Sequence, residues 1–174
     1  MKIFQIITRT DLGGAQSVVV NLANELCKDH EVIVAAGEGD GKMWKLLAPS
    51  IKREEISSLH RALSPINEIK TLFALRRLYG KYKPDIIHLH SSKVGILGRI
   101  AFPKLKIIYT VHGFDSIRIA YRQYLPLERI LQGYCKVIVG VSEYDGWNLR
   151  GEGIRRNVRV IYNGISIPCA LGGD

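Results

Sequence analysis

"DIIHLHSSKVGILGRIA", residues 85–101, sets the topology of the whole chain. Ile86, Ile87 and Leu89 make a short apolar run, and it stops at His88 and His90. Two serines then turn the chain into a segment whose apolar residues recur at helical spacing. A strand, a polar turn and a helix in that order form half of a βαβ unit. Runs of the same kind recur: "KIFQIIT" (2–8), "EVIVAAG" (31–37), "KIIYTVHG" (106–113), "KVIVGVS" (136–142) and "VRVIYN" (158–163), with a weaker one at "KREEISS" (52–58). Most are apolar throughout rather than alternating, as strands buried on both faces are. Between them, "AQSVVVNLANELCKD" and "NEIKTLFALRRLYGKY" carry apolar residues three and four apart. The expected fold is α/β: a Rossmann-like, doubly wound, mainly parallel sheet of about seven strands with helices on both faces.

The bulk numbers agree with one domain. The chain has 174 residues, 47% of them hydrophobic, enough for a single core. Lys and Arg outnumber Asp and Glu by 25 to 16, which favours an anionic partner without naming it. Aromatic residues do not interleave with the basic ones as single-strand stacking requires, so nucleic acid is not expected. Cys27, Cys135 and Cys169 are odd in number and far apart, without metal-ligand spacing, which fits a reducing cytoplasm. "MKIFQIITRT" reads as a first strand, and Arg99 interrupts the longest apolar stretch, so membrane contact is expected only as a peripheral one, at the inner face of the cell membrane. "YNGISIPCALGGD" gathers turn residues after the last strand and reads as the start of a linker, giving one domain over 1–165 and a linker from 166.

In an open parallel sheet, ligands bind beyond the carboxyl ends of the strands. The residues there are Gly13, Gly14, Ala15 and Gln16 after the first strand, His88, His90, Ser91, Ser92 and Lys93 after the fourth, His112, Gly113 and Phe114 after the fifth, and Ser142 after the sixth. His88 and His90, two apart, share a face of their strand, and His112 reaches the same edge. Two readings stay open for them: imidazoles satisfied by neighbouring backbone, or contacts to a ligand. A three-histidine zinc site lacks a carboxylate base beside it and is not expected. The glycines are either a plain tight turn or a turn that presents helix N-terminal amides to a phosphate. A third glycine of the dinucleotide fingerprint is missing. "AGEGDGKM" (36–43) falls one residue short of a P-loop and has Met43 where a hydroxyl would hold Mg²⁺, so it is expected to be a flexible surface loop. Lys93, Arg118, Arg122 and Arg129 follow strand ends and are candidates to face the cleft. "RRLYGKYK" (76–83) is the densest basic group, a solvated face or a contact for anionic lipid. His30 and His60 read as surface residues.

The pieces "GGAQSVVVNLANEL", "HEVIVAAG", "KPDIIHLHSSKVGILGRIA", "YTVHGF", "YCKVIVGVSEYD" and "NVRVIYNGI" occur in the order and spacing of a known family. The chain resembles the retaining glycosyltransferases of family four, with the two-domain GT-B architecture, and most of all members that build capsular or exopolysaccharide and lipid-linked sugar chains. The resemblance implies the N-terminal, acceptor-side domain. It places Gly13 and Gly14, with Ala15 and Gln16, against the diphosphate of a nucleotide-sugar donor. His112 becomes the catalytic candidate. His88, His90, Ser91, Ser92, Lys93, Gly113 and Phe114 fall at the acceptor, a saccharide or lipid-linked saccharide, while Ser142 and Asn163 fall on the donor side of the cleft and the hinge. It implies no metal and no cofactor beyond the donor substrate. Two features depart from the family. Ser166 stands where an Asp is usual, and no two glutamates have seven residues between them, as the donor-binding C-terminal domain requires. That domain is expected as a partner absent from this chain, and the chain alone is expected to be inactive. Two other readings stand beside this one: a non-catalytic acceptor-binding or membrane-docking subunit of a split enzyme, and half of a sugar-nucleotide epimerase.

Overall fold

A computed structural model describes residues 1–164. Ser166, Cys169 and the expected linker lie outside the described residues. Seven strands run β1 Lys2–Ile7, β2 Glu31–Ala36, β3 Lys52–Glu55, β4 Ile86–Leu89, β5 Ile107–Val111, β6 Val137–Gly140 and β7 Val158–Val160. They form one sheet in the order β3-β2-β1-β4-β5-β6-β7, and every neighbouring pair is parallel. Six α-helices connect them: α1 Gly14–Leu26, α2 Lys42–Leu46, α3 Pro65–Tyr82, α4 Ser92–Ala101, α5 Leu125–Leu131 and α6 Glu143–Gly151. The sheet expected from the Ile- and Val-rich runs is thus present, including its weakest member. β3 is polar, "KREE", and stands at the edge, where an unpaired flank faces water.

The strand order places the helices. From β1 the chain winds outward to β2 and β3, then returns to the other side of β1 to lay down β4 and the rest. With right-handed crossovers, α1 and α2 cover one face and α3 to α6 the other. Two cores result. Val19, Val20 and Met43 pack on Ile7, Val34 and Ala36, while Leu75, Val94, Leu125 and Leu149 pack on Phe4, Leu89, Tyr109 and Ile138. β1 and β2 supply both cores, Phe4, Ile6, Ile33 and Ala35 to the larger and Ile7, Val32, Val34 and Ala36 to the smaller, and burial on both faces explains the unbroken apolar run of β2. α3 starts at Ser64, whose hydroxyl accepts from the Asn67 amide, with Pro65 in its first turn, and ends at Lys83 in the left-handed region (φ 48°).

α4 lies close to the sheet because it carries Gly95 and Gly98. A Cβ on Gly98 would come within 2.6 Å of Leu89 Cδ1, and one on Gly95 would collide with the Tyr109 ring. Arg99, which interrupts the apolar run in the sequence, is only 2% exposed. Its guanidinium lies over the Tyr109 ring at 4.5 Å and donates to Glu128 Oε2 at 2.5 Å and to the Gly95 carbonyl at 2.7 Å. Cys27 and Cys135 are both free thiols, and burial raises that of Cys135 to about 11.

Candidate active site

β1 and β4 diverge in the direction of their connections, so a crevice opens between their carboxyl ends. A cleft of about 380 Å³ occupies it. One wall is the β1–α1 connection. Gly13 caps α1 with extended backbone and without any side-chain hydrogen bond, and the first turn holds no acid. The amides that open a 13-residue helix are therefore unneutralised, and Ala15 and Gln16 line the cleft beside them. Nothing stands within 4 Å of the place a Cβ would take on Gly14, so the backbone there is open to close approach. Gln16 donates to the Arg9 carbonyl at 3.3 Å, and Arg9 is held by Asp11 at 2.8 Å.

The other wall is the β4–α4 turn. Ser91 caps α4, and its hydroxyl meets Thr8 Oγ1 at 2.6 Å, joining the two walls at their base. His90 is 1% exposed and still borders the cleft. Its Nδ1 lies 3.2 Å from His112 Nε2, and its ring sits 3.8 Å from that of His88 and 5.5 Å from that of His112, stacked on the latter at 21°. His88, one layer deeper, meets Thr110 Oγ1 at 2.7 Å through Nε2. The three imidazoles thus form a ladder across β4 and β5. Burial, with a smaller push from His112, lowers His88 to about 3. Burial with its two histidine neighbours lowers His90 well below the ordinary value, and burial lowers His112 to about 4 against an opposing pull from Asp145. All three are neutral at pH 7, so a single proton lies between His90 Nδ1 and His112 Nε2. Either tautomer leaves His90 Nε2 buried without a partner. In this arrangement the nitrogens of His90 and His112 are directed at each other, and that of His88 at Thr110. They do not converge on a point where a metal ion would sit, and among the described residues no group of three His, Cys, Asp or Glu side chains does.

The other expected residues are distributed differently. Ser92 and Lys93 line the cleft. The Lys93 ammonium, however, is held by the carbonyls of His60 and Ala62 at 2.5 and 2.6 Å and by Glu68 Oε1 at 2.6 Å. Gly113 adopts a left-handed turn (φ 79°) that sends Phe114 back into the larger core, 1% exposed, with its amide on Asp145 Oδ1 at 2.8 Å. Phe114 therefore shapes the end of β5 from behind and presents no ring to the cleft. Ser142 caps α6: its hydroxyl accepts from the Asp145 amide at 3.1 Å and donates to the Asp145 carboxylate at 2.8 Å. Asn163 is exposed just past β7. Of the arginines after strand ends, Arg118 binds Asp115 and Tyr144, while Arg122 and Arg129 both bind Glu152. None of the three lines the cleft.

The roof of the cleft carries no recognisable motif. Arg61 donates to the Tyr121 hydroxyl at 3.2 Å and lies over that ring at 6.0 Å, joining the β3–α3 connection to a π-turn over Ser116–Ala120. The loop at 37–41, expected to be flexible, is instead pinned. Thr10 donates its amide to the Glu38 carbonyl at 2.9 Å, Glu38 donates its own to the Leu59 carbonyl at 3.1 Å, and the Glu38 carboxylate accepts from the Arg61 amide at 2.6 Å. His60 meets that carboxylate at 3.2 Å. The loop buttresses the cleft from outside.

Comparison with known proteins follows the same outline. The chain is 33% identical over 121 residues to an Escherichia coli "UDP-Gal:alpha-D-GlcNAc-diphosphoundecaprenol alpha-1,3-galactosyltransferase", covering 64% of this chain and 31% of that one. It is 32% identical over 180 residues to a Campylobacter jejuni alpha-1,4-N-acetyl-D-galactosaminyltransferase whose name specifies a diNAcBac-PP-undecaprenol-linked saccharide, covering all of this chain and 48% of the relative. The chain thus spans less than half the length of either relative. Among solved structures, Anabaena Alr3699/HepE in complex with UDP and glucose superposes with a TM-score of 0.74 at 20% identity, over 95% of this chain and 45% of that one. Sucrose-phosphate synthase from Thermosynechococcus elongatus gives 0.74 at 15% identity, over 92% and 47%. These likenesses establish the Rossmann-like fold of GT-B glycosyltransferases. With the sequence pattern of that family matching residues 12–167, the chain belongs to Glycosyltransferase Family 4.

Proposed function

We propose that the chain is the N-terminal, acceptor-side domain of a retaining glycosyltransferase that moves a sugar from a nucleoside diphosphate to a lipid-linked saccharide in polysaccharide or glycolipid synthesis. The observation that carries this reading is the pairing, across one cleft, of uncapped α1 amides with His90, the middle member of a ladder of neutral histidines, which borders the cleft and keeps one ring nitrogen unpartnered. Both relatives named above act, by their names, on diphosphoundecaprenol-type or PP-undecaprenol acceptors.

The amides around Gly13 and Gly14 face the donor diphosphate, and the helix dipole favours the charge that grows on it as it leaves. His112, neutral at pH 7, hydrogen-bonds the donor sugar beside the reacting carbon. His90 holds His112 in one tautomer and offers Nε2 to the acceptor, next to Ser91 and Ser92. Among the described residues Glu68 is the only carboxylate that lines the cleft, and Lys93 neutralises it at 2.6 Å. That favours a retaining transfer in which the leaving diphosphate, rather than a protein carboxylate, takes the acceptor proton on the face it leaves. The donor base and most of the donor sugar contacts fall to a C-terminal domain. Without it the chain binds donor weakly and does not turn over.

The test uses the complete enzyme with a nucleotide-sugar and an undecaprenyl-diphosphate-linked acceptor, the product anomer being read by NMR. His112→Ala is expected to lower kcat by at least ~100-fold with the fold retained, as removal of a transition-state contact does. Near-normal turnover removes His112 from the reaction, and an inverted anomer removes retention.

A further inference from the structure

α3 buries one face in the larger core through Thr71, Leu75, Leu78 and Tyr82. A helix so placed should be polar on its other face. Instead Ile66, Ile69 and Phe73, three and four residues apart, stand outward and are 66, 55 and 67% exposed. Leu63, just ahead of the helix, is 63% exposed. Nothing in the described residues covers this stripe.

The charges around it are of one sign. Lys70, Arg76 and Arg77 are exposed beside the stripe and have no ion-pair partner among the described residues. The single acid of the helix, Glu68, turns inward to Lys93. Lys81, further along, is held by Glu54 at 2.6 Å. The outward half of α3 is therefore an apolar ridge flanked by free cations with no anion on it, on a chain of net charge +9. An aqueous partner surface is not required to supply both terms at once, but a bilayer of anionic lipid does: phosphate headgroups outside and acyl chains just beneath. No helix among the described residues is long and apolar enough to cross a membrane, so the contact is lateral.

We infer that the outward face of α3, with Leu63, docks on an anionic lipid bilayer by seating Ile66, Ile69 and Phe73 below the headgroups while Lys70, Arg76 and Arg77 bind them. The stripe begins at the cleft, since Leu63 lines it. An acceptor anchored in the same bilayer then meets the cleft mouth without leaving the membrane. The inference builds on the lipid-linked acceptor proposed above, but vesicle binding is read without sugar transfer. An inactive enzyme that binds vesicles would refute that reading and leave this one standing.

The experiment is co-sedimentation of the chain with vesicles of phosphatidylcholine alone and of phosphatidylcholine containing about one-third phosphatidylglycerol. Binding is expected on the anionic vesicles and at least about tenfold weaker on the neutral ones. Ile69→Ser/Phe73→Ser and Lys70→Gln/Arg77→Gln are each expected to lower partition to anionic vesicles about tenfold or more. Circular dichroism checks that each variant is folded, which their exposure favours; single Phe73→Ser serves if the double variant is not. Three results would overturn the inference: no preference for anionic vesicles, unchanged binding by the folded serine variant, or a wild-type dimer that Phe73→Ser dissociates in the absence of vesicle binding.

Discussion

Acidification from pH 7 to pH 5 should unfold this protein far more readily than its carboxylates alone would allow. His88 and His90 are held neutral in the fold, the first at about 3 by burial and the second well below its usual value for the same reason. In the unfolded chain both titrate near 6.5. Between those limits the unfolded state binds the extra protons, so stability rises with pH and is lost as pH falls below about 6.5. A histidine that stays neutral at pH 5 while its unfolded counterpart is almost fully charged gives up about 2 kcal/mol relative to pH 7. The pair therefore accounts for about 4 kcal/mol, a large part of the stability of an ordinary domain. Urea unfolding at the two pH values, followed by far-UV circular dichroism, measures the loss. Repeating it on His88→Gln/His90→Gln removes both titrating side chains and separates their share from that of the carboxylates. The variant is expected to lose about 4 kcal/mol less than wild type over the same interval. Equal losses in the two proteins would mean that the histidines are charged in the fold, and the neutral ladder would be wrong.

Three further substitutions probe the frame around the cleft. Arg99→Met leaves Glu128 buried and unpaired and should cost about 3 to 5 kcal/mol in urea unfolding, most of it recovered in Arg99→Met/Glu128→Leu. Gly98→Ala drives a methyl into Leu89 and should cost about 1 to 3 kcal/mol by the same assay, with a lowered thermal midpoint. Ser142→Ala removes the α6 cap and should cost about 1 kcal/mol, without altering the pH dependence set by the histidines.

The parallel sheet was readable because its strands are buried twice over, and only Ile- and Val-rich runs survive that environment. The edge strand β3 was faint for the complementary reason. α2, α5 and α6 are short and hold few apolar positions, so their periodicity is lost in a window of ten residues. The convergence of His88, His90 and His112 was readable from alternation along one strand and the known edge where ligands bind. Which of them borders the cleft was not, because it depends on how β4 and β5 twist against each other. Arg99 reads only as an interruption of an apolar run. Its partner Glu128 is 29 residues away, and only the packing of α4 on α5 brings the two together. Lys93 reads as a cation free for an anionic ligand, and the fold neutralises it through a loop and a helix that carry no signal of proximity in the chain. Phe114 reads as a cleft residue by position, and the left-handed turn at Gly113 reverses its direction.

The hydroxyl contact between Thr8 and Ser91 joins residues 83 apart in the chain. Each wall of the cleft is a local βα turn, but the cleft itself exists only once β1 has found β4, after β2, β3, α1, α2 and α3 have been reeled in between. Closing a loop of that length costs about 4 kcal/mol in chain entropy, whichever contact comes first. A reporter group in the cleft would therefore follow the pairing of β1 with β4. During synthesis, too, the binding edge stays open until the ribosome has released β4, and any nick between the two strands would cut the site in two without removing a residue from it.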